Sequence, residues 1–130
     1  MSNYGFSIRV PYGFEEAVQK VTEALAKEGF GVLTDIDVQA TMKKKLDIDG
    51  LPYRILGACN PSMAHQAISV DPDIGLLLPC NVVVRQEEDL SVTVAFMDPV
   101  AVLQLVDKEG VAEIANTVKA KLTKVRDTLA

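Results

Sequence analysis

Residues 80–97 read Cys80-Asn81-Val82-Val83-Val84-Arg85-Gln86-Glu87-Glu88-Asp89-Leu90-Ser91-Val92-Thr93-Val94-Ala95-Phe96-Met97. Two β-rich runs, 80–85 and 90–97, flank the polar loop Gln86–Asp89. Val92, Val94 and Phe96 fall on one side of the second run, and Ser91, Thr93 and Ala95 on the other. That alternation predicts two half-buried strands joined as an antiparallel hairpin. A hairpin centred on this loop pairs Cys80 with about residue 96, which brings Met97 and Asp98 beside Pro79 and Cys80.

Working toward the N-terminus, Asn60-Pro61 predicts a helix start: Asn caps, and Pro at the first helical position gives up only a donor that is unpaired anyway. Met63, Ala64, Ala67 and Ile68 form that helix's apolar side, and Asp71-Pro72-Asp73 ends it before a short apolar connection. Leu51–Ala58 reads as a strand, preceded by the turn Asp47–Gly50. Asp37 is a plausible cap for a short helix with Val38, Met42 and Leu46 on one face. Phe30–Asp35 reads as another strand. Upstream, Ala17, Val18, Val21, Ala24 and Leu25 repeat at helical spacing, with Glu15 and Glu16 at the dipole-favoured end and Gly29 as the left-handed stop. Tyr4–Val10 alternates as a half-buried strand.

Toward the C-terminus, Asp98-Pro99 ends the hairpin's second strand and Val100–Val106 is a short helical turn. Asp107 is the expected cap of a last helix. Its apolar seam is Val111, Ala115, Val118, Leu122, Val125 and Leu129. The order predicts an α+β fold: a mainly antiparallel sheet, two long helices on one face, and short helices between strands.

The chain has 130 residues, which fits one domain spanning 1–130. Its net charge is −5, so the basic footprint that nucleic acid or an anionic membrane requires is missing. Residues 1–10 lack the pattern of a signal peptide, and no apolar run approaches the length of a membrane span. The expected compartment is the cytoplasm, with Cys59 and Cys80 as free thiols.

No phosphate loop, paired-cysteine zinc spacing or nucleophile elbow is present. One histidine, His65, leaves no multi-histidine metal site within one chain. What remains is convergence. Cys59 ends one strand and Cys80 opens the next, so antiparallel pairing sets them side by side. Cys59, Asn60, Pro61, His65, Cys80, Asn81 and Asp98 are thereby candidates for one ligand site at one end of the sheet. Cys59, His65 and Cys80 would suit zinc or another soft metal such as copper(I), with Asp98, water or a second subunit completing the set. A small polar ligand at the Asn60 helix start is the other occupant considered. The residues also have plainer roles: the cysteines as core packing, His65 as a surface or hydrogen-bonding histidine, the asparagines as caps or turns, Asp98 as a strand terminator, and the seam of the last helix as core.

Four blocks together resemble the family called domain of unknown function 302. They are Gly29-Phe30-Gly31-Val32-Leu33-Thr34-Asp35-Ile36-Asp37-Val38, Tyr53-Arg54-Ile55-Leu56-Gly57-Ala58-Cys59-Asn60-Pro61, Gly75-Leu76-Leu77-Leu78-Pro79-Cys80-Asn81-Val82-Val83-Val84 and Phe96-Met97-Asp98-Pro99. The resemblance implies a β-α-β(4)-α fold similar to the TATA-binding-protein arrangement, and homodimers. It implies no activity, and a shared fold carries no DNA-binding function with it.

Three functional readings follow. The first is a small homodimeric protein that binds a small ligand or metal ion at the cysteine end of the sheet. The second is a structural or interaction module whose cysteines are only core. The third is a thiol-dependent enzyme with a cysteine nucleophile and His65 as base.

Overall fold

The computed structural model describes residues 3–130, so Met1 and Ser2, part of the signal-peptide reading, lie outside the described residues. The strands are β1 (Gly5–Val10), β2 (Gly31–Asp37), β3 (Tyr53–Cys59), β4 (Cys80–Gln86) and β5 (Val92–Met97). The helices are α1 (Phe14–Lys27), α2 (Val38–Leu46), α3 (Pro61–Val70), α4 (Pro99–Leu103) and α5 (Val111–Leu129). The strands form one five-stranded sheet in the order β1-β5-β4-β3-β2, with every neighbouring pair antiparallel. The fold is α+β, with the expected strand and helix order.

One sheet face meets both long helices. Val10, Leu56, Ala58, Cys80, Val82, Val84, Val92, Val94 and Phe96 point into it from the strands. Ala17, Val21, Ala24 and Leu25 of α1 and Val118, Leu122, Val125 and Leu129 of α5 close over them. All six seam positions of α5 are buried, as the alternating four-and-three spacing requires. A smaller apolar cluster, Ala67, Ile74, Leu103, Val111 and Ala115, joins α3 to α4 and the first turns of α5. The short apolar connection expected after α3 contains a 3-10 helix over Pro72–Leu77, which supplies Ile74 to this cluster and which the Asp71 side chain caps by accepting from Asp73 N at 3.0 Å.

Two local expectations need correction. The hairpin pairs Val82 with Phe96, so the position opposite Cys80 shifts by two from that expected. The loop is longer because Glu87 N donates to Ser91 O at 2.8 Å and Leu90 takes a positive φ of 74°. A two-residue shift preserves side-chain parity, so the core face is unchanged. The cap of α5 is Gly110, at φ 89°, rather than Asp107. The short helix α2 forms as expected, with Asp37 capping it by accepting from Ala40 N at 2.9 Å, and it buries none of its residues.

Candidate functional site

The site begins at the end of β3. In the β3–β4 ladder Ala58 lies directly opposite Cys80, which places Cys59 one residue beyond that pair. Cys80 points with Val82 and Val84 into the core and is 8% exposed. Cys59, at the strand's last position, is half-buried. Both are free thiols. Burial raises the Cys80 thiol to about 11, with a further push from the neighbouring Cys59. At neutral pH Cys80 is therefore a protonated, weakly polar wall group.

Asn60 turns the chain from β3 into α3. Its Oδ1 accepts from Met63 N at 3.3 Å, and its Nδ2 donates to Glu28 O at 3.5 Å. Pro61 takes the first helical position. Gly29, at φ 85°, leaves the Asn60 amide room: an added Cβ there would sit 3.1 Å from Nδ2. Gly57 serves a second close approach. A Cβ at that position would run into Thr34 Oγ1 and lie 2.9 Å from Pro79 Cγ, so only glycine lets those two residues close over β3.

Where α3 crosses this end of the sheet, a half-open cavity of about 330 Å³ remains. The sheet end contributes Phe30, Ala58, Cys59 and Cys80, and α3 contributes Met63, Ala64, Ala67 and Ile68. Leu78 and Pro79 of the connection, Leu103 of α4, and Ile114 and Val118 of α5 add to the wall. No charged side chain lines it; Thr34, Cys59, Asn60 and Cys80 are its polar members. The cavity lies along the seam between the main core and the smaller cluster, because Cys80 and Val118 belong to the first and Ala67 and Leu103 to the second.

The seven candidate residues therefore divide. Cys59, Asn60 and Cys80 share the cavity, whereas Pro61, the exposed first residue of α3, does not line it. His65 does not join them. Residues 63, 64, 67 and 68 of α3 face the cavity, whereas exposed His65 lines a separate groove with Gln66, Ser69, Glu113 and Thr117. Helical rotation is the reason: each residue turns about 100°, so the position after Ala64 leaves the cavity side. Asn81 is exposed and lines a groove on the opposite sheet face, because it is one step out of phase with Cys80.

Asp98 is committed elsewhere. Its Oδ1 accepts from Val100 N at 2.9 Å and Ala101 N at 3.3 Å, which caps α4, and its Oδ2 accepts from Lys119 Nζ at 2.9 Å. Burial alone would raise this carboxyl, but those hydrogen bonds and the Lys119 charge together hold it below the usual carboxylate value.

Among the described residues, no group of three or more His, Cys, Asp or Glu side chains comes together to hold a metal ion. The Cys59, His65 and Cys80 set for zinc or another soft metal is thus not assembled within the chain. The same rotation removes His65 as a base for either thiol. Of the wall residues outside the seven, Met63, Ala64, Ala67 and Ile68 are legible in the sequence as the apolar side of α3, and Val118 as part of the α5 seam; that they enclose a cavity is not.

The sequence profile of the family described as Domain of unknown function DUF302 matches residues 6–129. The chain belongs to the DUF302 family. Its fold is similar to that in the crystal structure of an uncharacterized conserved DUF302 protein from Bacillus stearothermophilus. The two are 27% identical, with a TM-score of 0.91 over 99% of this chain and 100% of the other. No curated protein gives a significant match to the sequence.

Proposed function

We propose that this DUF302 chain is a binding protein for a small, neutral, predominantly apolar molecule held at the cysteine end of the sheet. The observation that carries the reading is a cavity with apolar walls, no charged side chain and four weakly polar groups. Small-molecule sites typically have this character: mostly apolar, with a few polar groups that fix orientation. A 150 Å³ apolar cavity accommodates benzene, so about 330 Å³ suits a guest on the order of ten heavy atoms. Two free cysteines and an acidic chain are consistent with a cytoplasmic setting.

The test uses a saturated ketone of about eight carbons, a size matched to the cavity, with binding read by ligand-observed NMR on the full chain. The wild type is expected to bind it. Ala64→Phe, which fills the cavity from a half-buried helix position, is expected to weaken binding at least about tenfold, which is about 1.4 kcal/mol. Equal binding by both proteins, or none by the wild type, overturns the reading.

A second reading, self-association as a homodimer, is favoured by α2. This nine-residue helix buries no side chain, and Met42, Leu46, Ile48 and Leu51 are exposed on and after it. So short a helix gains little stability in isolation, which favours a covering surface. The occupant proposed is a second copy, because the exposed apolar residues Met42, Leu46, Ile48 and Leu51 can meet their own counterparts across a two-fold axis. Light scattering on the eluting wild type should give a dimer, and Met42→Glu/Leu46→Glu a monomer. A monomeric wild type at micromolar concentration rejects this second reading.

A further inference from the structure

We infer that Cys59 captures an apolar α,β-unsaturated carbonyl compound covalently when such a molecule occupies the cavity. The inference rests on the ligand reading above and assigns it a ligand class. Cys59 and Cys80 both line the cavity and neither is in a disulfide, but only Cys59 is half-exposed. An enone is neutral and apolar over most of its surface, with one acceptor oxygen. The wall offers the same division: apolar side chains over most of it, with Thr34 and Cys59 as the accessible polar groups, the Asn60 amide being taken up by Met63 N and Glu28 O.

In the reaction, the Cys59 sulfur bonds to the β-carbon as the alkene π bond breaks. The electron pair moves through the α-carbon onto the carbonyl oxygen, and the proton lost by the thiol is returned at the α-carbon. The net change is addition of S–H across the double bond, with nothing oxidised, nothing reduced and no leaving group. Cys80 is spared because it is 8% exposed and burial keeps its thiol protonated, whereas the thiolate is the nucleophile. Holding the electrophile against Cys59 replaces a chance encounter with a positioned one, which accelerates addition.

The experiment incubates the full chain at neutral pH with a vinyl ketone of about eight carbons, sized to the cavity. Intact mass and peptide mapping follow the product. One adduct is expected, on Cys59, forming at least about tenfold faster than on a short peptide of the same local sequence. Ala64→Phe is expected to abolish that advantage, read as at least about a tenfold fall in the ratio of vinyl-ketone to acrylamide labelling at Cys59, acrylamide being too small to draw on the cavity walls. Ile68→Trp narrows the mouth from a position 45% exposed and gives the same pattern should Ala64→Phe fail to fold. Adducts chiefly on Cys80 or lysines, or no advantage over the peptide, overturn the inference. If the saturated ketone binds while the vinyl ketone shows no preference for Cys59, this inference falls and the ligand reading stands. If the saturated ketone does not bind, both fall.

Discussion

The two apolar clusters differ in how they are closed. In the main core, strand side chains from one sheet face meet two long helices, and Phe96, Leu25, Leu56 and Leu122 are essentially inaccessible. Phe6 stacks on Phe96 with centroids 5.4 Å apart. The smaller cluster is assembled from the ends of short elements, α3, the 3-10 helix and α4, against the start of α5. Five buried side chains cannot fill the gap to the sheet, and the cavity is what remains between them. The contrast teaches a division of labour: a close-packed layer that supplies stability, and a second layer whose junction with the first leaves a cavity.

The largest effect expected from this contrast is in the main core. Phe96→Ala should cost about 3–5 kcal/mol in denaturant unfolding, because it empties a filled site and removes a ring stack. Leu103→Ala in the smaller cluster should cost about 2 kcal/mol, the low end for buried leucine, since one side of Leu103 already faces the cavity. Equal costs for the two would break the comparison. A saturating apolar ligand sharpens it: at 100 times its Kd it should stabilise the wild type by about 2.7 kcal/mol and Ala64→Phe hardly at all, read as shifts in Tm.

How much of this was readable beforehand follows the same division. The main core depends on local periodicity, and residues such as Val118, Leu122, Val125 and Leu129 mark their buried side by spacing alone. The meeting of Cys59 and Cys80 was legible because one antiparallel pairing controls it. The cavity was not, because its walls come from five separate segments whose mutual placement is tertiary. His65 illustrates the limit. Its distance along the chain from Asn60 was plain, but the side it faces depends on how α3 is rotated over the sheet. Asp107 and Gly110 illustrate another: a capping side chain is a visible signal, while a glycine can start a helix through backbone conformation alone.

Asn60 and Asp98 hold the second layer to the first, and their loss should cost less than the core substitutions. Asn60→Ala removes the α3 cap and the tie to Glu28, for about 1 kcal/mol. Asp98→Ala removes the α4 cap and the partner of Lys119, for a similar cost of about 1 kcal/mol.

The smallest effect lies in the pH dependence of Asp98. Its carboxyl is held below the ordinary value of 3.8 in the folded state, so the unfolded chain binds its proton first as pH falls. The stability it contributes is fully present above the unfolded carboxylate pKa, about 4. That contribution is lost as pH drops through the lower folded value. Asp98→Asn keeps a side-chain oxygen for the cap but removes the charge facing Lys119. The wild type should therefore unfold at higher urea than Asp98→Asn at pH 6, and the difference should shrink on acidification below pH about 4. A difference that stays constant across that window would mean that the carboxylate charge does not help fasten the second layer, leaving the neutral cap to do so.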